Sequence, residues 1–142
     1  MAFSEQFATH IQNYISLPGS DIPPNNASNL FLALHTEDPT TNCSQNELVG
    51  LGYERTSVLF GNQSTSISKD LENSSPVIFP PASATSPESI KYYSVWTDQT
   101  VGEPISYGIL DAPVNWISGS SIAFATGLLR LEILMKPANC TV

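Results

Sequence analysis

The stretch Leu30-Phe31-Leu32-Ala33-Leu34-His35-Thr36, followed at once by Glu37-Asp38-Pro39, decides the fold. The run is apolar on both faces of an extended chain, as expected of a central strand. Asp38-Pro39 then starts a turn, in which the Asp carboxylate accepts backbone N–H bonds. His35 closes the strand and reads as a polar plug hydrogen-bonded to a loop. Downstream, short apolar segments of the same kind recur between turn residues to the end of the chain.

Residues 39–46 form a loop, and Gly50-Leu51-Gly52 a tight turn or bulge. Residues 56–60 are the next strand, and 61–75 a polar mobile loop or weak hairpin. Residues 77–79 form a short strand stopped by Pro80-Pro81, followed by a loop at 82–89. A long strand rich in aromatic and β-branched residues covers 90–97. A connection at 98–104 leads to a strand at 105–110, and 111–119 turns the chain again. Residues 121–125 and 128–135 complete the set. In the last strand Leu129, Leu131, Ile133 and Met135 alternate with Arg130 and Glu132, the plainest two-residue period present.

Seven or eight such strands predict a mainly β chain, a single β-sandwich or jelly-roll-like domain over residues 1–142 with its sandwich at 30–136. One N-terminal helix or arm is expected at 1–19. Ser4 can cap it, Phe3 and Phe7 can staple the cap, and Phe7, Ile11, Tyr14 and Ile15 recur at helical spacing. Leu17-Pro18-Gly19 ends it. Residues 20–29 read as an extended connector and 137–142 as a tail.

Only 13% of the 142 residues are charged, about half the usual share of roughly 25%. Ser, Thr and Asn take the polar positions instead. The net charge of −8 repels phosphates and anionic surfaces, which argues against nucleic acid or membranes as partners. No signal peptide is visible at the start, and no run approaches the ~20 apolar residues of a membrane span. Cys43 and Cys140 are too few and too far apart for a disulfide framework or a zinc site, and free thiols are expected.

Little in the chain points to catalysis. No serine stands in a nucleophile elbow, no glycine-rich phosphate loop occurs, and no carboxylate spacing nominates an acid–base pair. His35, Glu37 and Asp38 resemble a ligand cluster, but neighbours on a strand point to opposite faces, so three ligands from this stretch are hard to converge. We therefore expect no enzyme, cofactor or metal. Arg55 stands out where a glycine turn meets a strand. Its fork can take a carboxylate locally, from Glu54 or Glu47, or one across an interface. Tyr93, Trp96 and Trp116 are the aromatic contact candidates. With Phe3, Phe7, Ile11 and Tyr14 of the helix, these residues form the expected interface set.

The order of these segments resembles a family of small tailed-bacteriophage virion proteins, often labelled tail-fibre or minor structural proteins, some of whose relatives are assigned to the capsid surface. The matching elements are residues 30–39, Asn46-Glu47-Leu48-Val49-Gly50-Leu51-Gly52-Tyr53-Glu54-Arg55, Val58-Leu59-Phe60, residues 77–83, Ser94-Val95-Trp96-Thr97, Tyr107-Gly108-Ile109-Leu110 and Ile117-Ser118-Gly119. The resemblance implies a virion structural role, made in the host cytoplasm, and supplies no catalytic residues. The leading expectation is a capsid decoration or cement protein that binds the outer shell and bridges capsomers. Its partners would be the major capsid protein, further copies of itself, or both. The alternatives are a tail, baseplate or fibre component, or a host glycan- or receptor-binding module anchored on Trp116 or Tyr93.

Overall fold

A computed structural model describes residues 2–4, 30–50, 52–64, 68–83 and 88–134. Strand β2 (Leu30–His35) lies inside a five-stranded antiparallel sheet, between β3 (Thr56–Val58) and β7 (Glu88–Trp96). Beyond β7 come β8 (Pro104–Trp116) and the short β1 (Ala2–Phe3). Register follows from the apolar parity: Leu32 faces Val95 and Leu34 faces Tyr93 across the β2–β7 ladder. A one-residue slip would turn all four side chains to the other face.

Both faces of β2 are used, as its sequence requires. Leu32 and Leu34 point into the main core with Val95, Tyr93 and Ile90 of β7. That core is closed by a two-stranded sheet, β6 (Val77–Phe79) with β9 (Ile122–Phe124), whose Val77, Phe79, Ile122 and Phe124 are buried. Phe79 meets the rings of Tyr53, Trp116 and Phe124 at centroid distances of 6.1, 6.5 and 6.2 Å. Such aromatic pairs add about 0.5–1.5 kcal/mol each beyond the area they bury. Ala33, on the other face of β2, packs with Trp96 and Cys43, with Tyr107 against them. Cys43 is a free, fully buried thiol, and burial pushes its pKa up to about 12. Cys140 lies outside the described residues.

The third sheet joins β4 (Phe60–Ser64), β5 (Ser68–Asn73) and β10 (Arg130–Leu134). Its hinge is Asn73, fully buried at the end of β5. The Asn73 amide donates to the carbonyls of Ser75 (2.9 Å) and Ala125 (3.0 Å), and its Oδ1 accepts the Leu129 N–H (2.9 Å). One polar side chain thereby fastens the entry to β10, and burial without those partners would be costly.

Three expectations are corrected. Residues 2–3 are strand, not helix: β1 pairs with Ser106 and Tyr107 of β8. Ser4, read as the helix cap, is fastened to β8: its N–H donates to the Ile105 carbonyl (2.8 Å) and its hydroxyl to that of Pro104. The other helix positions, including Phe7, Ile11 and Tyr14, lie outside the described residues. The strand expected at 56–60 is two strands, because the chain changes sheets at the exposed Leu59. Of the two alternatives for 61–75, the hairpin is the one observed: β4 and β5 pair in register from Phe60 with Asn73 to Ser64 with Lys69. Finally, β8 runs on to Trp116, through the first part of the turn expected at 111–119, and the chain turns only after it, where Ser120 N–H donates to the Ile117 carbonyl (2.9 Å). The ladder steps from Ile90–Val114 to Tyr92–Ile109, so Lys91 alone faces residues 110–113. A bulge absorbs the turn-forming residues, including Pro113, without ending the strand. Among the described residues no helix is long and apolar enough to cross a membrane.

Gly108 of β8 lies under the Tyr93 ring. A Cβ there would come within 2.7 Å of Tyr93 Cζ, and the ring is buried with its hydroxyl donating to the Arg130 carbonyl (3.2 Å). Gly108→Ala is expected to destabilise the fold by about 1–3 kcal/mol through overpacking, read as a lower urea midpoint at unchanged m-value.

Candidate functional site

The segment after β2 folds back on the sheet before β3 begins. Thr36 N–H donates to the Asn46 carbonyl (3.2 Å), and Leu48 N–H to that of Leu34 (2.9 Å). Asp38 does what its place before proline suggests: its Oδ1 accepts the Thr40 N–H at 2.8 Å. Left-handed backbone at Thr40, Cys43 and Asn46 curls the loop and turns Cys43 inward.

At the base of this loop His35 is fully buried. Its Nδ1 lies 2.8 Å from the Gln45 carbonyl, so Nδ1 carries the proton. Its Nε2 lies 2.7 Å from Ser94 Oγ, which also accepts the Trp96 indole N–H at 2.8 Å. The Ser94 hydroxyl therefore donates to Nε2, and every proton in the chain has one acceptor. The histidine is the polar plug expected from sequence. Glu37 pairs with Lys91, and Asp38 is engaged in its turn. The three side chains read as a ligand cluster thus serve three separate structural contacts.

Arg55 is the hub on the other side of Trp96. Its Nε and Nη2 donate to the two carboxylate oxygens of Glu47, both at 2.8 Å. Its Nη1 donates to the carbonyls of Val101 (3.0 Å) and Asp98 (3.4 Å). Its guanidinium carbon lies 3.8 Å from the centroid of the Trp96 ring, a cation–π contact. The Tyr53 hydroxyl completes the set, donating to Glu47 Oε1 (3.0 Å) and accepting the Leu34 N–H (3.1 Å). Burial raises the Glu47 carboxyl, but the Arg55 fork and the Tyr53 hydroxyl outweigh it and hold it below the usual carboxylate range. Burial chiefly, with the Glu47 charge, raises the Tyr53 phenol.

Of the two local partners open to Arg55, Glu47 takes the guanidinium, while Glu54 is exposed beside the Gln99 amide (3.4 Å). Arg55 and Trp96, both in the expected interface set, meet each other inside the subunit. Tyr93 is in the main core, and Trp116 is fully buried there with its indole N–H donating to the Ser120 carbonyl (3.0 Å). Phe3 is in β1.

The loop between β2 and β3 and the loop between β7 and β8 leave an open cleft of about 670 Å³ above the Glu47–Arg55 pair. Asn46, Val49, Tyr53, Glu54, Gln99 and Thr100 line it. Sequence reasoning named none of these as site residues. The local signal was the two-residue spacing of Tyr53 and Arg55; Gln99 and Thr100 arrive from the far end of β7.

The model of the family Gp80, described as podophage GP4 fiber I protein gp80, matches residues 3–132. The chain belongs to this family. The match runs from the second residue of β1 into β10, so it takes in all three sheets and the Arg55 hub. No curated protein matches the chain. The gp80-family assignment makes the chain a phage virion structural protein, with the virion as its location.

Two predictions follow from the hub and the plug. Arg55→Lys keeps a charge but loses the fork and the flat stack on Trp96, and should cost about 1 kcal/mol for each hydrogen bond lost; Arg55→Ala should cost more because Glu47 is left without its cation, and chemical denaturation of the two variants ranks them. Burial chiefly lowers the His35 pKa from 6.5. The unfolded chain therefore takes up a proton that the folded protein refuses, so this contribution is complete above pH 6.5 and is lost as pH falls from there through the lower folded-state pKa. Glu47 raises and Arg55 lowers the same pKa, and they are the charged groups acting on the ring. Imidazole NMR should show a neutral Nδ1–H ring persisting below pH 6.5, and His35→Gln should flatten the loss of stability as pH falls below 6.5.

Proposed function

We propose that this protein is a structural component of the virion's tail or fibre apparatus, not a capsid cement protein. The observation that carries this reading is the match to a fibre-protein family over residues 3–132. The fold is consistent with a mechanical part. Among the described residues, ion pairs serve to hold the structure: Glu47–Arg55 and Glu37–Lys91 pin loops, and Arg130–Glu72 joins β10 to β5. Trp116 and Tyr93 are core residues, which removes them as anchors for the receptor-binding alternative in its original form.

Its partners in this reading are copies of itself or other tail proteins. The apolar side chains left at the surface, among them Ile78, Ile109 and Leu128, supply contact area, and repeated weak contacts add up in an assembly. With a net charge of −8, a role gripping packaged nucleic acid is disfavoured.

Position and copy number test the proposal. Antibody-gold labelling of purified particles should mark the tail region, and quantitative gel staining should return a few tens of copies or fewer. Labelling spread over the shell, with hundreds of copies, would restore the cement reading.

A further inference from the structure

We propose that a proton taken up by His35 is passed on as movement: it parts Ser94 from the Trp96 indole and loosens the Arg55 stack at the cleft end of the sheet. The two polar networks that share Trp96 then act as one acid-sensitive relay.

His35 and Ser94 are both fully buried. With the ring neutral, the hydrogen-bond count closes. Nδ1–H has the Gln45 carbonyl, Nε2 has the Ser94 proton, and Ser94 Oγ has the Trp96 indole N–H. Among the described residues Ser94 Oγ has no third partner. A second proton on the ring makes Nε2 a donor. Two N–H groups then converge on Ser94 Oγ, and the Ser94 proton is left without an acceptor in a buried place, which is costly.

Trp96 is the group that yields. A bond from a charged imidazole is stronger than one from a neutral indole, and His35 is held on its other side by Gln45. Once the indole withdraws, water can take the Ser94 proton. The new charge also acts directly, because Arg55, 3.8 Å from the centroid of the Trp96 ring, carries the same sign and opposes it. Glu47, bridged to His35 across the loop, favours the charge, but its carboxylate oxygens are already engaged by Arg55 and Tyr53. Tyr92, opposite His35 on β7, is the remaining titratable neighbour in the ladder. No free carboxylate among these groups waits to receive a charged ring. Arg55 also holds the carbonyls of Asp98 and Val101, so its displacement reaches the loop after β7.

The test is an NMR titration of the full, isotope-labelled chain, downward from neutral pH. The Trp96 indole N–H and Arg55 Nε–H peaks should shift with one midpoint, shared with the His35 ring. Trp116, whose indole N–H donates to the Ser120 carbonyl, is the internal reference and should stay fixed through that midpoint. His35→Gln should hold both moving peaks still. Ser94→Ala separates the relay from the bare field of the charge: His35 should still titrate, while the Trp96 and Arg55 peaks lose most of their excursion. Trp96→Phe keeps a ring under Arg55 without the N–H, and the Arg55 peak should again stop following His35. Thermal melts at neutral pH verify that the variants fold. Peaks that stay fixed while His35 titrates, that move as far in Ser94→Ala or Trp96→Phe as in wild type, or that move together with Trp116 would overturn the proposal. So would a ring that stays neutral until the whole chain unfolds. The fibre reading, judged by particle position and copy number, is independent of all these outcomes.

Discussion

The stack of Arg55 between Glu47 and Trp96 is the contact on which the cleft end of this molecule depends. One guanidinium grips a carboxylate with two parallel hydrogen bonds, lies flat on an indole and reaches two carbonyls of a distant loop. The segment before β3, the end of β7 and the loop after it are thereby held together. An isolated surface ion pair contributes only about 0–1 kcal/mol. This one has more reason to matter: Arg55 and Glu47 are only 10% and 20% exposed, and the geometry satisfies both partners.

Beneath it runs a second polar chain, from the Gln45 carbonyl through His35 and Ser94 to the Trp96 indole. Trp96 belongs to both networks, meeting Arg55 with its face and Ser94 with its N–H. Together they account for an unusual feature of the five-stranded sheet, which is buried on both sides at β2. One side has β6 and β9. The other is covered at Ala33 and Trp96 by a loop carrying Cys43. A loop can serve as a layer only if its polar backbone finds partners, and His35, Asp38 and Asn42 supply them.

For a part of a virion, such a construction has a clear use. Stiffness comes from ladders and from loops pinned by buried polar groups, without any call on chemistry. The surface away from the cleft carries scattered apolar side chains suited to assembly, and the cleft adds a shaped recess at one end of the sheet.

Much of this was legible in sequence, and the reason is local. Leu30–His35 announces a strand buried on both faces, Asp38-Pro39 a turn, and residues 77–79 a strand cut off by proline. Each signal depends on side-chain parity or turn chemistry within a few residues. Glu47 lies close enough to Arg55 in the chain to have been one of its two named partners. The sequence alone could not say where strands change sheets. Leu59 ends one ladder and opens another with no break in composition, and residues 114–116 look like part of a turn until β7 pairs with them. Nor could it say that Trp116 is core, or that Trp96 lies under Arg55. Those outcomes depend on partners tens of residues away. Local periodicity therefore determined which segments are strands, while long-range pairing, which residue spacing does not encode, decided the sheets, the hub and the cleft.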